Sequence, residues 1–172
     1  MRRPTTPVPL DPEEARQAAF AVALRLLAGR EMSTARIRDR LHVRGFPVDA
    51  IDCAVARLTS AGVLDDRRAV QAAARTLMSV RLRGRHRVER ELERLGFDRD
   101  VVDLAMREVL EAVDEAALVA RVVESKMRGG NTLPDEASYR RLFGTLLRRG
   151  FPGWLIRDAL KPYWRRSGSP EI

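Results

Sequence analysis

Apolar positions in this chain recur at helical spacing, and they recur in the same order three times. Three 19-residue windows align without a gap: RLHVRGFPVDAIDCAVARL (Arg40 to Leu58), ELERLGFDRDVVDLAMREV (Glu91 to Val109) and TLLRRGFPGWLIRDALKPY (Thr145 to Tyr163). Counting from the glycine of each window (Gly45, Gly96, Gly150), Ile37, Val88 and Leu142 stand eight residues before it, and Leu41, Leu92 and Leu146 four before it. That i, i+4 pair is one face of a helix. After the glycine, Ile51/Val102/Ile156, Ala54/Ala105/Ala159, Val55/Met106/Leu160 and Leu58/Val109/Tyr163 form the i, i+3, i+4, i+7 stripe of a second helix. The period is 51 and then 54 residues, the length of a small helical unit that buries its apolar faces by stacking on its neighbours.

Between the two helices of each pair the glycine is placed to adopt positive φ at the C′ position. The following Phe then stands at C″ and touches C3, which pairs Phe46 with Leu41, Phe97 with Leu92 and Phe151 with Leu146. Gly62 and Val63 repeat the pattern against Leu58. Twelve residues before the window glycines, Ser33, Gly84 and Ser138 are expected N-caps of the first helix of each pair, with Met32 and Ile37 as a hydrophobic staple in the first repeat. Further apolar-periodic stretches lie upstream at Ala15 to Leu27, Arg67 to Leu82 and Ala116 to Met127, so each repeat has three helices. The expected fold is all-α: three tandem three-helix repeats stacked into an elongated, curved array. The repeats span 13–64, 65–114 and 115–166, between tails at 1–12 and 167–172. The three extra residues of the last interval fall in GGNTLPDEAS (Gly129 to Ser138), the most loop-like interior segment.

Composition adds an anionic partner to this picture. Net charge is +8 with a pI near 10.9, and Lys126 and Lys161 are the only lysines, which leaves 30 of 32 basic residues as Arg. Guanidinium holds phosphate or carboxylate through two parallel hydrogen bonds, whereas Lys is a point charge. Nine residues before each window glycine stands Arg36, Arg87 or Arg141, near the third position of the middle helix. A cation there opposes the helix dipole by about 0.3–1 kcal/mol, so its recurrence points to a partner. Around this column cluster Arg38, Arg40 and Arg44, then Arg81, Arg83, Arg85, Arg90 and Arg94, then Arg140, Arg148 and Arg149. The competing reading is a solvated face with local pairs to Asp39, Glu89 or Glu93.

Candidate chemistry is sparse. His42 and His86 are the only histidines, and Cys53 has no His or acid at a spacing that marks a nucleophile. Gly129-Gly130 lacks the Lys-Ser/Thr of a phosphate-binding loop. Asp65 and Asp66 are read as caps of the next helix, not as an acid pair. The reading is a non-enzyme without catalytic residues, cofactor or metal, cytoplasmic, monomeric and away from membranes, since a lone cysteine forms no internal disulfide and neither an apolar leader nor a membrane span is present. A DNA-reading helix-turn-helix fits poorly, because the second helices expose Asp49, Asp52, Asp100 and Asp103 and offer no Asn or Gln for adenine.

In the order and spacing of LLAGREMSTARIRDRLHVRGF (Leu26 to Phe46), GVLDD (Gly62 to Asp66), GRHRVERELERLGF (Gly84 to Phe97) and RLFGTLLRRGF (Arg141 to Phe151), the chain resembles the RecX family of recombination regulators over about Glu13 to Arg166. The resemblance implies a protein that binds the RecA recombinase filament and lowers its ATP hydrolysis, filament growth and strand exchange, within recombination, DNA repair and the SOS response. It implies a repeat stack lying in the filament groove, with contacts to single- or double-stranded DNA phosphate allowed. The residues expected to make these contacts are Arg36, Arg40 and Arg44 in the first repeat; Arg81, Arg83, Arg85, Arg87 and Arg94 in the second; and Arg140, Arg141, Arg148 and Arg149 in the third. The alternative is a non-specific nucleic-acid-binding repeat protein that acts without RecA. Two departures stand out: Ala69 and Ala73 replace an aromatic that family members tend to carry after the Leu-Asp-Asp link, leaving the contact between the first two repeats closer or weaker, and the Gly129 to Ser138 loop is long enough to shift the third repeat.

Overall fold

The structure, a computed structural model, describes residues 11–29, 32–127 and 132–164. Among these, nine α-helices follow one another: α1 (Pro12–Gly29), α2 (Thr34–His42), α3 (Val48–Ser60), α4 (Asp66–Ser79), α5 (Arg85–Arg94), α6 (Arg99–Ala112), α7 (Glu115–Lys126), α8 (Glu136–Arg148) and α9 (Gly153–Leu160). A 3-10 turn (Lys161–Tyr163) ends them, and one isolated parallel bridge joins Leu133 to Trp164. The chain is all-α, three three-helix repeats stacked in sequence order. The expected tails lie outside the described residues, apart from Asp11 and Pro12, where α1 begins; so do Gly129, Gly130 and Asn131 of the last interval's loop-like segment.

The glycine turns follow from local chemistry. Gly45, Gly62, Gly96 and Gly150 take φ of +82°, +66°, +83° and +92°. In each, the glycine N–H donates to a carbonyl three residues back, at 2.9 Å, and the next residue donates to the carbonyl five back: Phe46 to Leu41, Phe97 to Leu92 and Phe151 to Leu146 at 3.3 Å, Val63 to Leu58 at 3.0 Å. This is the double hydrogen bond of a Schellman ending, and the latch residues Phe97 and Phe151 are buried.

Three expectations need correction. The helix placed at Arg67 to Leu82 ends at Ser79, because Leu82 takes a left-handed φ of +50° and the Arg83 N–H turns back onto the Leu77 carbonyl at 3.2 Å. Ser138 does not cap α8: Asp135 does, its side chain accepting from the Ser138 N–H at 2.7 Å. That hydrogen bond holds the Asp135 carboxyl below its usual range. Counted from its glycine, the helix therefore starts a turn earlier than α2 and α5, so that residues 136–138 of the segment read as loop are helical, while the connection from α7 is still longer than those before α2 and α5. Arg141 consequently stands six residues into its helix, where the dipole penalty has faded.

The apolar interior is divided unequally. Ala15, Ala19 and Ala23 form a small-residue stripe that lets α1 lie close to α3, and with Ile37, Leu41, Ile51, Val55 and Leu58 they make a core belonging to the first repeat alone. The second and third repeats share a single larger core that runs from Val70 and Met78 through Leu92, Met106 and Val109 to Val123, Phe151 and Leu160. At the boundary, where Ala69 stands, a cavity of about 20 Å³ remains among Leu27, Met32, Leu64 and Ala69. With no bulky ring there, the first contact between repeats is the weaker one.

The first two middle helices, α2 and α5, each dock their N-terminus on the next repeat. At the first joint Ser33, which caps α2 through the Arg36 N–H, also donates its hydroxyl to the Leu95 carbonyl at 3.0 Å. Asp66 accepts from the Thr34 N–H at 2.8 Å and its hydroxyl at 3.0 Å. At the second joint the Gly84 N–H donates to Arg149 O at 2.9 Å and the His86 N–H to Gly150 O at 3.1 Å. Glu115, only 5% exposed, accepts there from the Arg85 N–H at 2.8 Å and its Nε at 2.7 Å. So Asp65 caps its own helix, as expected, while Asp66 reaches back to the previous repeat.

Glycine is required where the two backbones touch. A Cβ on Gly84 would lie 2.3 Å from the Gly150 carbonyl carbon. Gly84→Ala should therefore lower unfolding stability by about 2–3 kcal/mol despite an ordinary φ. Gly144→Ala, inside α8 with only the end of the Arg148 side chain nearby at 3.4 Å, should raise it by about 0.5–1 kcal/mol. Urea denaturation of both variants checks the pair. By the same measurement, Glu115→Gln should cost about 2 kcal/mol, since it removes the charge that faces Arg85, whereas Asp66→Asn, which keeps its accepting oxygen, should cost less than about 1 kcal/mol.

Candidate interface: an arginine trough along the middle helices

Head-to-tail docking brings arginines from adjacent repeats to the same place. At the first joint, Arg36 and Arg40 of α2 face Arg94, Leu95 and Gly96 at the end of α5 across an open cleft of about 270 Å³, with Ala35 and Asp39 completing the wall. At the second, Arg87, Arg90 and Glu91 of α5 face Arg148 at the end of α8 across a cleft of about 280 Å³, and Arg94 lines this one as well. The two clefts are equivalent by repeat position: the residue nine before one glycine meets the residues just before the next. Arg94 joins them into one trough.

This geometry changes the meaning of the arginine column. Arg87 stands at the third position of α5, against its own dipole, but its Nη1 donates to the Arg148 carbonyl at 3.3 Å in the last turn of α8. The negative pole of the neighbouring helix supplies the counter-charge. Part of what the dipole argument assigned to an external partner is thus met by the next repeat. Arg36 occupies the same place at the first joint, beside the end of α5.

Other predicted contacts are drawn into internal work. Arg83 pairs with Glu91, and Arg85 is held by the buried Glu115. Burial, followed by the nearby Arg87 and Arg81 charges, lowers the Arg83 pKa from its ordinary value. The guanidinium stays charged at neutral pH. Arg140 pairs with Glu136 at 2.6 Å, Arg44 donates to the Arg40 carbonyl at 2.7 Å, and Arg149 contributes its backbone carbonyl to the second joint. Arg81 is exposed but lines neither cleft. Arg141 donates to Ser138 Oγ at 2.9 Å and faces no further repeat among the described residues, so the structure does not gather it with Arg36 and Arg87.

The gathered set is Arg36, Arg40, Arg87, Arg90, Arg94 and Arg148. Sequence reasoning placed Arg90 in the cluster but left it out of the contact set, and it missed Asp66 and Glu115 as the acids that fix the trough's walls. A signal existed: Asp65-Asp66 and Asp114-Glu115 open the first helix of successive repeats, one acid to cap and one to reach back. On the third helices, Asp49, Asp52 and Asp158 are paired with Arg16, Arg38 and Lys161, which keeps that face charge-balanced. Among the described residues no group of His, Cys, Asp and Glu is arranged to hold a metal ion, and no helix is long and apolar enough to cross a membrane.

Comparison with known proteins agrees with this architecture. Residues 19–58 match the family model described as RecX, first three-helix domain. The chain is 34% identical over 143 residues to the regulatory protein RecX of Trichlorobacter lovleyi, covering 81% of this chain and 91% of that one. It is 34% identical over 152 residues to that of Mycobacterium ulcerans, covering 86% and 83%. The crystal structure of RecX from Lactobacillus salivarius superimposes with a TM-score of 0.77 at 15% identity, over 87% of this chain and 96% of that one. A second RecX crystal structure gives 0.71 at 17% identity, over 90% and 81%. Identity of 34% over more than four-fifths of each chain makes this chain a member of the RecX family of regulatory proteins.

Proposed function

We propose that the protein binds the RecA recombinase filament and restrains its ATPase, filament growth and strand exchange, acting in the cytoplasm as a monomer and without catalytic chemistry of its own. Family membership supports the target. The observation that carries the mode of binding is the arginine trough, which crosses both joints and so presents one extended cationic surface instead of three separate ones. An extended footprint suits a partner with its own repeat, because each cleft adds a modest contact and the joints fix the spacing between them.

Within the trough, Asp39 stands among the arginines of the first cleft. A continuous phosphate backbone would be repelled at this point, whereas a protein surface of mixed charge places a cation opposite it. This favours the protein filament as the main contact, with DNA phosphate as an accessory, over the alternative of non-specific nucleic-acid binding without RecA.

Added below the recombinase concentration, the protein should depress DNA-dependent ATP hydrolysis; no effect at any ratio overturns the proposal. Steep loss of bare-DNA affinity with salt, and DNA binding that accounts fully for the inhibition, would support the alternative instead. Arg94→Glu reverses a charge shared by both clefts and should raise the half-inhibitory concentration about tenfold, roughly 1.4 kcal/mol. Arg81→Glu, outside the trough, should change it little, with circular dichroism confirming that both variants fold.

A further inference from the structure

The two clefts of the trough each contain one acid, and the two acids differ in state. Asp39, in the first, has no ion-pair partner among the described residues. Glu91, in the second, is held by Arg83, whose own side chain does not line the cleft. The rest of that lining is Arg87, Arg90, Arg94 and Arg148, and none of the four has a carboxylate partner among the described residues. The first cleft is thus of mixed charge, whereas the second presents four guanidiniums beside an acid that is already neutralised.

The backbone on both sides of Arg83 is fixed, so its hold on Glu91 is built into the fold. Before it, Leu82 takes a left-handed φ of +50°, a region that non-glycine residues seldom enter, and among the described residues it alone does so. After it, the Gly84 N–H is tied to Arg149 O at the second joint, at 2.9 Å. Arg83 is the less exposed member of the pair, its side chain 18% accessible. Burial, and then the charges of Arg87 and Arg81, lower its pKa, which sets Arg83 within the field of the cleft's own cations. At the matching position of the first repeat stands Met32, an apolar residue that neutralises no acid.

We propose that the second cleft is a binding site for adjacent phosphate groups, and that Arg83 is the positioning residue that makes it one by holding the Glu91 carboxylate. A carboxylate ligand offers two oxygens and is satisfied by one bidentate guanidinium, whereas neighbouring phosphates bring several oxygens and more than one charge to the same cleft. Four unpaired guanidiniums match the second kind of ligand. The lining has no aromatic or apolar side chain on which a base would stack, so the site reads phosphate and not base. Such phosphates come from a nucleic-acid backbone or from a free nucleotide, and the chemistry is common to both. The proposal rests on the trough being the binding surface and divides it, with the first cleft left to a protein partner; its test uses no recombinase, so it stands or falls apart from inhibition.

The probes are inorganic tripolyphosphate, a five-nucleotide oligothymidylate and a capped tetraglutamate, each of charge about −4, titrated into the isotopically labelled full chain. Arginine Nε–H signals report the site. Saturable shifts at Arg87, Arg90, Arg94 and Arg148 are expected with both phosphate probes, at a dissociation constant of about 0.1 mM, and binding of tetraglutamate at least about tenfold weaker. Tighter binding of the oligothymidylate assigns the site to a nucleic-acid backbone, and tighter binding of tripolyphosphate to a free nucleotide; either supports the proposal. Arg83→Ala frees the Glu91 carboxylate and should weaken phosphate binding about tenfold, and adding Glu91→Gln should bring it back to within about twofold of the unaltered chain. A purely structural Arg83 would not be rescued in this way. Arg148→Gln, at an exposed helix end, should also weaken binding about tenfold with the fold intact by circular dichroism. Absence of shifts at about 5 mM, shifts centred on Arg36 and Arg40, tetraglutamate binding as tight as tripolyphosphate, or a double variant as weak as Arg83→Ala would overturn the proposal.

Discussion

The array depends on one contact made twice: the N-terminal turn of a middle helix set against the glycine turn that ends the middle helix of the next repeat. A helix N-terminus has N–H groups with no partner inside the helix, and a helix C-terminus has carbonyls in the same condition. Placing one against the other satisfies both without extra residues, and it aligns the dipoles of α2, α5 and α8 head to tail. It also explains a sequence feature that is costly in isolation. Arg36 and Arg87 oppose the dipole of their own helix but stand beside the negative pole of another.

The two joints do the same work with different strength. At the second, backbone donates to backbone across a Gly84–Gly150 approach that admits no side chain, a buried Glu115 ties the arriving helix, and one hydrophobic core runs through both repeats. At the first, a serine hydroxyl and the half-exposed Asp66 make the link, and the core of the first repeat remains its own. The second and third repeats therefore form the firmer unit, with the first attached to it through side-chain hydrogen bonds beside the small void at Ala69. A trough whose walls come from adjacent repeats has its width set by these joints, so the stability of the stack and the geometry of the binding surface are a single problem.

Much of the fold was legible in the sequence because its determinants are local. Gly45, Gly62, Gly96 and Gly150 stop helices through hydrogen bonds that span five residues or fewer, and the Leu-Phe and Leu-Val latches belong to the same short segments. The apolar stripes on either side are equally local. Reading failed where two nearby residues competed for one role. Ser138 and Asp135 both suit an N-cap, and the carboxylate prevailed, adding a turn to α8. Leu82 continued a helical pattern, yet left-handed backbone ended the helix before it.

The candidate site was less legible for a different reason. Twelve arginines were indistinguishable by type and neighbourhood; some are taken up by partners within eight residues, as Arg83 is by Glu91 and Arg140 by Glu136, and the rest are separated by which groups meet across some 30 to 60 residues of chain. Arg85 is claimed by Glu115, thirty residues on; Arg87 is turned toward Arg148, sixty-one residues on; Arg94 is left between two clefts. By itself, then, the sequence determined the helices, their stops, the threefold repeat and the basic character of the surface, because each follows from backbone and side-chain preferences within a few residues. Only the tertiary structure decided which charges remain free to meet a partner, because a carboxylate or a helix pole neutralises an arginine only when stacking brings the two within hydrogen-bond reach.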